Sequence, residues 1–198
     1  MKTTIGQVQD KVEARLLELV NEIIFHPDDL KLNHFRISPT FHVINIDGHP
    51  SDKGRIIGPG GANFVALKHL VAAMGHKFGF RFQLGRVENS DGPVEYDRYG
   101  KTKLGNDWHE SKVRDLFERA VMACLIEPAT VAIDDVDEKS SVLRVAHSVR
   151  EPAADLRRVT NALQTIFNAV GKANGRQLYV SAEAEQPATA NGRFSAAA

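Results

Sequence analysis

The residues best suited to chemistry form a glycine-rich turn, Gly58-Pro59-Gly60-Gly61, directly before an apolar helical stretch. A Gly-x-x-Gly turn that enters a helix leaves backbone N–H groups unpaired at the positive end of the helix dipole. Because glycine has no side chain, a phosphodiester group can approach those amides closely. The turn is therefore a candidate anion-binding site. The alternative is a tight turn that only reverses the chain.

Other phosphate-binding and catalytic patterns do not fit this sequence. A nucleotide-binding P-loop needs Lys-Ser/Thr after its glycines, and a dinucleotide fingerprint needs a different glycine spacing. The histidines form no i, i+4 pair of a metal-binding helix, and the paired carboxylates Asp28-Asp29 and Asp134-Asp135 have no base or nucleophile at a suitable spacing. Cys124 lies among apolar residues, which favours a buried thiol over a nucleophile. We therefore expect no enzyme activity, no catalytic residue, no metal and no cofactor.

The composition is that of an ordinary soluble protein. The 198 residues are 42% hydrophobic and 25% charged, and the formal net charge of +0 argues against a strongly electrostatic nucleic-acid binder. No apolar run reaches the roughly 18 residues of a membrane span, and the N-terminus has no secretory signal pattern. A single cysteine suits a reducing compartment. We expect a cytoplasmic protein with no membrane partner.

Around the turn, the first part of the chain shows helical and strand patterns in a definite order. Apolar residues at helical spacing predict a helix from Ile5 to Phe25, and alternating patterns over 30–37 and 41–47 predict a β-hairpin. An apolar stripe predicts a helix after the turn, with Gly75 as its C-terminal cap, and residues 80–84 predict a closing strand. The order is helix, strand, strand, short helix, glycine turn, helix, strand.

The second part of the chain repeats this pattern without the turn. "LFERAVMACLIEPATVAIDD" mirrors "LLELVNEIIFHPDDLKLNHF", but "SVREPAADLRR" stands where the first copy has its glycines. An internal repeat of this kind predicts two tandem domains. Between them, Tyr96, Tyr99 and Trp108 form either a stacking platform for bases or a loop over the domain junction. The predicted organisation is a first domain at 1–88, a linker or surface loop at 89–112, a second domain at 113–183 and a disordered tail at 184–198.

Three features together resemble a type II KH domain over about residues 8–88. They are the element order, the segment "HPDDL" and the segment "GRIIGPGGANFVALKHLV". The similarity is closest to the small bacterial Khp-type RNA-binding proteins. In that family an Ile-Gly-x-x-Gly signature joins two helices and clamps single-stranded RNA or DNA. The resemblance implies an α+β fold of two tandem KH-like units, each a three-stranded sheet with helices packed on one face. The second unit lacks the signature, so we expect it to serve as a scaffold or partner surface.

The resemblance also implies a binding site built on the turn. Backbone amides would hold phosphates, apolar residues before the turn and on the strand 41–46 would line a base groove, and lysine and arginine would add positive charge. Pro59 departs from the family, which often has lysine or arginine there, so we expect weak affinity. The expected RNA-binding residues are Lys53, Arg55, Ile56, Ile57, Gly58, Pro59, Gly60, Gly61, Ala62, Asn63 and Lys68.

A protein-interaction module that keeps the KH frame without nucleic-acid binding is the alternative function. The neutral charge, Pro59 and the altered second copy favour it. The expected partners are therefore single-stranded RNA or ssDNA, with a protein partner or self-association as the other expectation. Salt dependence separates the two functions, because binding through phosphates weakens steeply with salt. We also hypothesise that the two units pack together as an intramolecular pseudo-dimer.

Overall fold

The computed structural model describes residues 4–89, 110–126, 129–137, 140–147 and 153–184. Within these ranges the chain forms two units that each combine helices with a three-stranded sheet. Most of the predicted linker, with Tyr96, Tyr99 and Trp108, lies outside the described residues. The same is true of nearly all of the predicted tail.

The first unit has a central strand with one antiparallel and one parallel neighbour. Strand β1 runs antiparallel to β2, and β2 runs parallel to β3, in the order β1-β2-β3. Short 3-10 turns precede β1 and α2. The elements are α1 (Ile5–Asn21), β1 (Lys31–Arg36), β2 (Phe41–Gly48), α2 (Lys53–Ile57), α3 (Ala62–Lys77) and β3 (Arg81–Asn89).

In its described residues, the second unit repeats this topology without a counterpart of α2. Its strands follow the order β4-β5-β6, again antiparallel and then parallel. Residues 110–112, the end of the predicted linker, belong to α4. The α+β class and the two three-stranded sheets are confirmed. The elements are α4 (Glu110–Cys124), β4 (Ala129–Asp137), β5 (Ser140–His147), α5 (Ala153–Ala173) and β6 (Gln177–Ala184).

Helix α1 ends earlier than the periodicity predicts. Its buried face follows the predicted spacing, with Val8, Val12 and Leu16 almost fully buried. The helix stops at Asn21, and the amides of Ile23 and Ile24 both donate to the carbonyl of Val20. Both isoleucine side chains are buried in the core. The apolar pattern therefore continues past the end of the helix, since the turn that follows also packs inward.

Gly75 lies inside α3, so the prediction that it caps the helix was wrong. The helix continues to Lys77, and Gly79 takes the left-handed conformation with φ of 77°. A Cβ at position 75 would lie 2.7 Å from Phe82 Cδ2 and 2.8 Å from the carbonyl oxygen of Phe80. Glycine is needed at position 75 because α3 passes very close to β3.

The two units share one continuous hydrophobic core. Corresponding helices meet, α1 with α4 and α3 with α5. Across the junction, the Cys124 thiol donates to the carbonyl of Leu70 (Sγ to O, 3.8 Å), and Lys77 Nζ donates to the carbonyl of Met122 at 2.6 Å. This arrangement agrees with the hypothesis of an intramolecular pair.

Over the described ranges, no single helix has the length and apolar composition needed to cross a membrane. One pair of consecutive helical segments in these ranges reaches that length and composition when taken together. The pair is Pro50–Ile57 and Pro59–Lys77, and the two segments are bent by 52° relative to each other.

Candidate nucleic-acid interface

The glycine-rich turn connects α2 to α3 through three residues in the left-handed region. The φ angles of Gly58, Gly60 and Gly61 are 74°, 58° and 81°. The amide of Gly58 donates to the carbonyl of Gly54 at 2.9 Å, which ends α2, and the amide of Gly61 donates to the carbonyl of Gly58 at 3.1 Å. Residues with a Cβ rarely adopt such φ values, so the backbone path itself requires the three glycines.

Gly58 is further constrained by contact with Asn63. A Cβ at position 58 would lie 2.5 Å from Asn63 Cγ, closer than two carbon atoms can pack. Asn63 is only 6% exposed, and its Nδ2 donates to the carbonyl of Arg55 at 2.8 Å. This hydrogen bond fastens the end of α2 to the start of α3. The amide of Asn63 is thus engaged in shaping the turn that the sequence predicts as a binding element.

The tip of the turn is open to solvent. Pro59 and Gly60 are exposed, as is Ala62 at the first position of α3. A Cβ at Gly60 or Gly61 would meet nothing within 4 Å. Because α3 begins at Ala62, the positive end of its dipole lies beside this bare backbone. An anionic ligand can therefore reach the backbone of the turn without displacing a side chain.

The three predicted cations occupy different surroundings. The guanidinium of Arg55 lies 3.6 Å from the centroid of the Phe25 ring, an arrangement that restricts its orientation by a cation–π contact. Lys68 Nζ lies 5.8 Å from the centroid of the Phe64 ring. Lys53 is the partly exposed first residue of α2. Of the three, only Arg55 lines the cleft described below.

The two predicted apolar groove residues differ in burial. Ile56 is fully buried in the core, so its side chain has no surface to offer a base. Ile57 is half-buried and keeps some exposure. On β2, Ile44 and Ile46 are also fully buried, whereas Phe41 and Val43 are partly exposed. Many of the apolar residues that the sequence predicts for the base groove therefore belong to the hydrophobic core, where they support the turn.

A buried carboxylate, Asp52, positions α2 and was not singled out by the sequence. It is 0% exposed and accepts hydrogen bonds from the amide of Phe25 at 3.0 Å and from the amide of His26 at 2.8 Å. Its Oδ2 also lies 2.9 Å from His26 Nδ1, and the His26 ring stacks on His49 at 4.0 Å. Asp52 directly precedes α2, a position that suggests a local helix cap. Its partners lie instead in the loop after α1.

A cleft of about 520 Å³ lies beside the turn. One wall comes from the first unit and includes Arg55 and the glycine turn, and the other wall comes from α5 of the second unit. The lining residues are Ile23, Gly54, Arg55, Gly58, Pro59, Ala62, Asn63, Thr165, Asn168, Ala169, Lys172 and Ala173. The contribution of α5 has no signal in the local sequence, because it depends on how the two units pack.

A larger cleft, of about 830 Å³, lies at the other end of α3 and does not touch the turn. It includes His69, His76 and Cys124. Burial raises the pKa of the Cys124 thiol to about 12, so this thiol stays protonated at neutral pH. The smaller cleft is the stronger candidate for a nucleic-acid interface, because Gly58 and Pro59 of the turn line it, whereas the turn lies outside the larger cleft.

Two other groups with shifted pKa values, His42 and Glu88, line neither cleft. Burial, together with the nearby His34, lowers the pKa of His42. Hydrogen bonds from Arg86 and Asn33 lower the pKa of Glu88. Among the described residues, no group of three or more His, Cys, Asp or Glu side chains is arranged to hold a metal ion. The turn and its cleft therefore offer groups for binding, chiefly open backbone at the positive end of α3 and a cation.

Two helices joined by a Gly-x-x-Gly turn and packed on a three-stranded sheet define the class of type II KH domains. The family described as KhpA/KhpB, KH domain, matches residues 13–85 of the chain. The chain is 37% identical to the RNA-binding protein KhpA of Mycobacterium leprae (strain TN) over 68 residues. These aligned residues cover 34% of this chain and 79% of the relative. The KhpA proteins of Mycobacterium bovis and Mycobacterium tuberculosis (strain ATCC 25618 / H37Rv) match with the same identity and coverage. The chain belongs to the KhpA/KhpB KH-domain family.

Proposed function

We propose that this protein binds single-stranded RNA, or ssDNA, through the Gly-x-x-Gly turn of its first unit. The observation that carries the proposal is the bare backbone at Gly60 and Gly61, at the positive end of α3 and next to a cleft that Arg55 lines. The printed names of its relatives, RNA-binding protein KhpA, support RNA as the ligand. The protein acts by binding and not by catalysis, and the single buried free cysteine suits a cytoplasmic location.

In this proposal the turn holds the sugar-phosphate backbone and carries little sequence information. Phosphates lie against the open backbone at Gly60 and the start of α3, and the bases rest beside the partly exposed Ile57. Pro59 supplies neither an N–H group nor a charge at its position, so affinity is modest. The footprint is short, about four nucleotides for a single KH module.

The test is a titration of a labelled mixed-sequence single-stranded RNA with wild type and with the Pro59→Asp, Gly60→Asp double variant. We expect the two new carboxylates to repel phosphate and to weaken binding at least about tenfold at low salt. Gly79→Asp is the matched control, because Gly79 also has positive φ, is exposed and has open space around its Cβ position. The control should bind as wild type does. Equal binding by the double variant and wild type would contradict use of the turn.

A protein-interaction module is the second candidate function. Phe35 and Ile37, at the end of edge strand β1, are 48% and 60% exposed, and apolar surface of this kind suits a protein partner. An apolar protein contact changes little with salt, whereas the RNA complex should weaken steeply between low and moderate salt. No RNA binding at low salt by the wild type would favour this second function.

A further inference from the structure

The second unit forms one wall of the cleft beside the glycine turn. Five residues of α5 line that wall, at helix positions that share one face. They are Thr165, Asn168, Ala169, Lys172 and Ala173. The opposite face of α5 carries Ile166, Phe167 and Val170, all fully buried. The wall is therefore held in place by the shared core and not by a loop.

Both walls of this cleft carry positive charge. Among the described residues that line it, Arg55 on the first unit and Lys172 on α5 are the charged ones, and none is acidic. Lys172 is exposed, and within the described part of the chain its ammonium has no ion pair. Two cations on opposite sides of a cleft lined also by backbone favour an anionic occupant that extends between them.

The α5 wall also offers neutral hydrogen-bonding groups. Asn168 is exposed, and its Oδ1 accepts a hydrogen bond from Gln164 Nε2 at 2.9 Å, which leaves its own amide N–H groups available to a ligand. The hydroxyl of Thr165 donates to the carbonyl of Asn161 at 3.0 Å and can still accept. A cation, an amide and a hydroxyl on one helix face match the mixed polarity of a sugar-phosphate backbone.

The larger cleft, at the other end of α3, is the pseudo-symmetric counterpart of the cleft at the turn, and the two clefts differ in the residues that line them. There α3 supplies His69, Ala72, Ala73 and His76 at the same spacing with which α5 supplies Thr165, Asn168, Ala169 and Lys172. Helix α3 of the first unit thus lines the larger cleft in the same way as α5 of the second unit lines the cleft at the turn. However, the second unit has no glycine turn to place opposite it, and Asp155 adds a carboxylate to that cleft. The cleft at the turn, in contrast, is lined by Gly58 and Pro59 of the glycine turn and by no carboxylate.

We propose that α5 is part of the nucleic-acid site, and that Lys172 contacts a phosphate of the single strand held at the glycine turn. This inference rests on the proposed function of the turn. It gives the second unit a direct part in binding, beyond its role as a scaffold. Asn168, one turn before Lys172, lies within the same wall and contacts the sugar or a base edge of the same strand.

Lys172 has an ordinary structural role that the test must separate from binding. It lies in the last turn of α5, where a cation stabilises the negative end of the helix dipole. A change of Lys172 can therefore lower stability slightly even without any ligand. Thermal unfolding of each variant in the absence of RNA measures that effect, while RNA affinity measures the proposed contact.

The experiment titrates a labelled single-stranded RNA of mixed sequence with the full chain carrying Lys172→Gln, Lys172→Glu or Arg157→Glu. Arg157 is an exposed cation near the start of α5, about 22 Å from Lys172 along the helix axis, and it lines neither cleft. Its variant changes the net charge by the same amount as Lys172→Glu. Affinity is measured at several salt concentrations, alongside the Pro59→Asp, Gly60→Asp variant.

We expect Lys172→Gln to weaken binding about 3- to 10-fold at low salt and to reduce the slope of log affinity against log salt by about 0.7, the value for one phosphate contact on a single strand. Lys172→Glu should weaken binding further, and Arg157→Glu should stay within about twofold of wild type. In addition, a 4-thiouridine strand should photo-crosslink to a peptide that includes residues 165–172.

The outcomes separate this inference from the proposed function. If the turn variant loses binding but both Lys172 variants bind with wild-type affinity and salt slope, the α5 contact is wrong and the function of the turn stands. Equal losses in Lys172→Glu and Arg157→Glu would show a general charge effect and would also overturn the contact. If wild type binds no single-stranded nucleic acid at low salt, both the function and the α5 contact are wrong.

Discussion

At the scale of single residues, the glycine turn is held in place by two polar side chains, Asn63 and Asp52. Asn63 bridges α2 and α3 through the carbonyl of Arg55, and Asp52 ties the start of α2 to the loop after α1. Both side chains are buried. A buried polar group is stable only with its hydrogen bonds made, so these contacts restrict the turn to one geometry.

Asp52→Ala should destabilise the protein by about 2 kcal/mol or more. The substitution removes the acceptor for the part-buried amides of Phe25 and His26, and each should cost about 1 kcal/mol, the low end of the range for buried donors left without a partner. Asp52→Asn is the matched variant, because its one amide oxygen can still accept one of those hydrogen bonds. Urea unfolding at pH 7 measures the free energy of unfolding of all three proteins. A loss below about 0.5 kcal/mol for the alanine variant would contradict this account.

The sequence predicts the glycine turn better than it predicts which of the neighbouring side chains are exposed. The three glycines of the turn can be identified from the sequence because glycine adopts positive φ angles readily, whatever residues surround it. They are Gly58, Gly60 and Gly61. Ile56 and Asn63 look equally available for binding in the sequence. Their burial depends on how α2 and the start of α3 pack against the rest of the first unit.

At the scale of elements, the distance between α3 and β3 depends on one glycine. Gly75 allows α3 to approach Phe80 and Phe82 closely. Gly171 has the same part in the second unit, where a Cβ would lie 2.7 Å from the carbonyl oxygen of Arg176. The repeat in the sequence thus preserves the helix-to-strand contact of both units.

Gly75→Ala should lower the free energy of unfolding by about 1–3 kcal/mol, since the added methyl group overpacks the contact between α3 and β3. Gly54→Ala is the matched control: Gly54 is also helical, but a Cβ there would meet nothing within 4 Å. The control should be neutral or stabilise by up to about 1 kcal/mol, because alanine favours helix. Chemical denaturation of the two variants compares them directly. An equal response from both would show that packing does not explain the glycine at position 75.

Element order is predicted well from the sequence, and element ends are predicted less well. Periodicity identifies the helices and strands because each pattern is local. In contrast, β3 extends to Asn89 and pairs with β2 through a register shift between Ile44 and Ile46. At that shift Asn45 Oδ1 accepts a hydrogen bond from the amide of Arg86 at 3.2 Å. Such a bulge depends on the neighbouring strand and has no signal in either strand alone.

At the scale of the whole molecule, the two units depend on each other. Their helices share one core, and ion pairs such as Arg119–Glu18 and Lys112–Glu22 join α4 to α1 at the surface. Exposed ion pairs contribute little stability, so the shared apolar core is the main connection. We therefore expect the described parts of the two units to unfold together.

Phe167→Ala tests this expectation from the second unit. Phe167 is fully buried in α5, with its ring centroid 3.9 Å from that of Phe117, and its truncation should cost about 3–5 kcal/mol. With one cooperative core, hydrogen-exchange protection should fall by the same free energy in β2 of the first unit as in β5. Lost protection in β5 alone, with β2 unchanged, would show that the units unfold independently.

The sequence by itself determined the class of this protein, because the signals for that class are local: two periodicities, an internal repeat and a turn that only glycine can form. It also predicted the turn as a binding element, with Arg55 near it. The tertiary structure alone decided that Ile56 faces the core, that Asp52 binds the loop after α1, and that α5 closes the cleft with Lys172. These features join residues far apart in the chain, and only the packing of both units into one core brings them together.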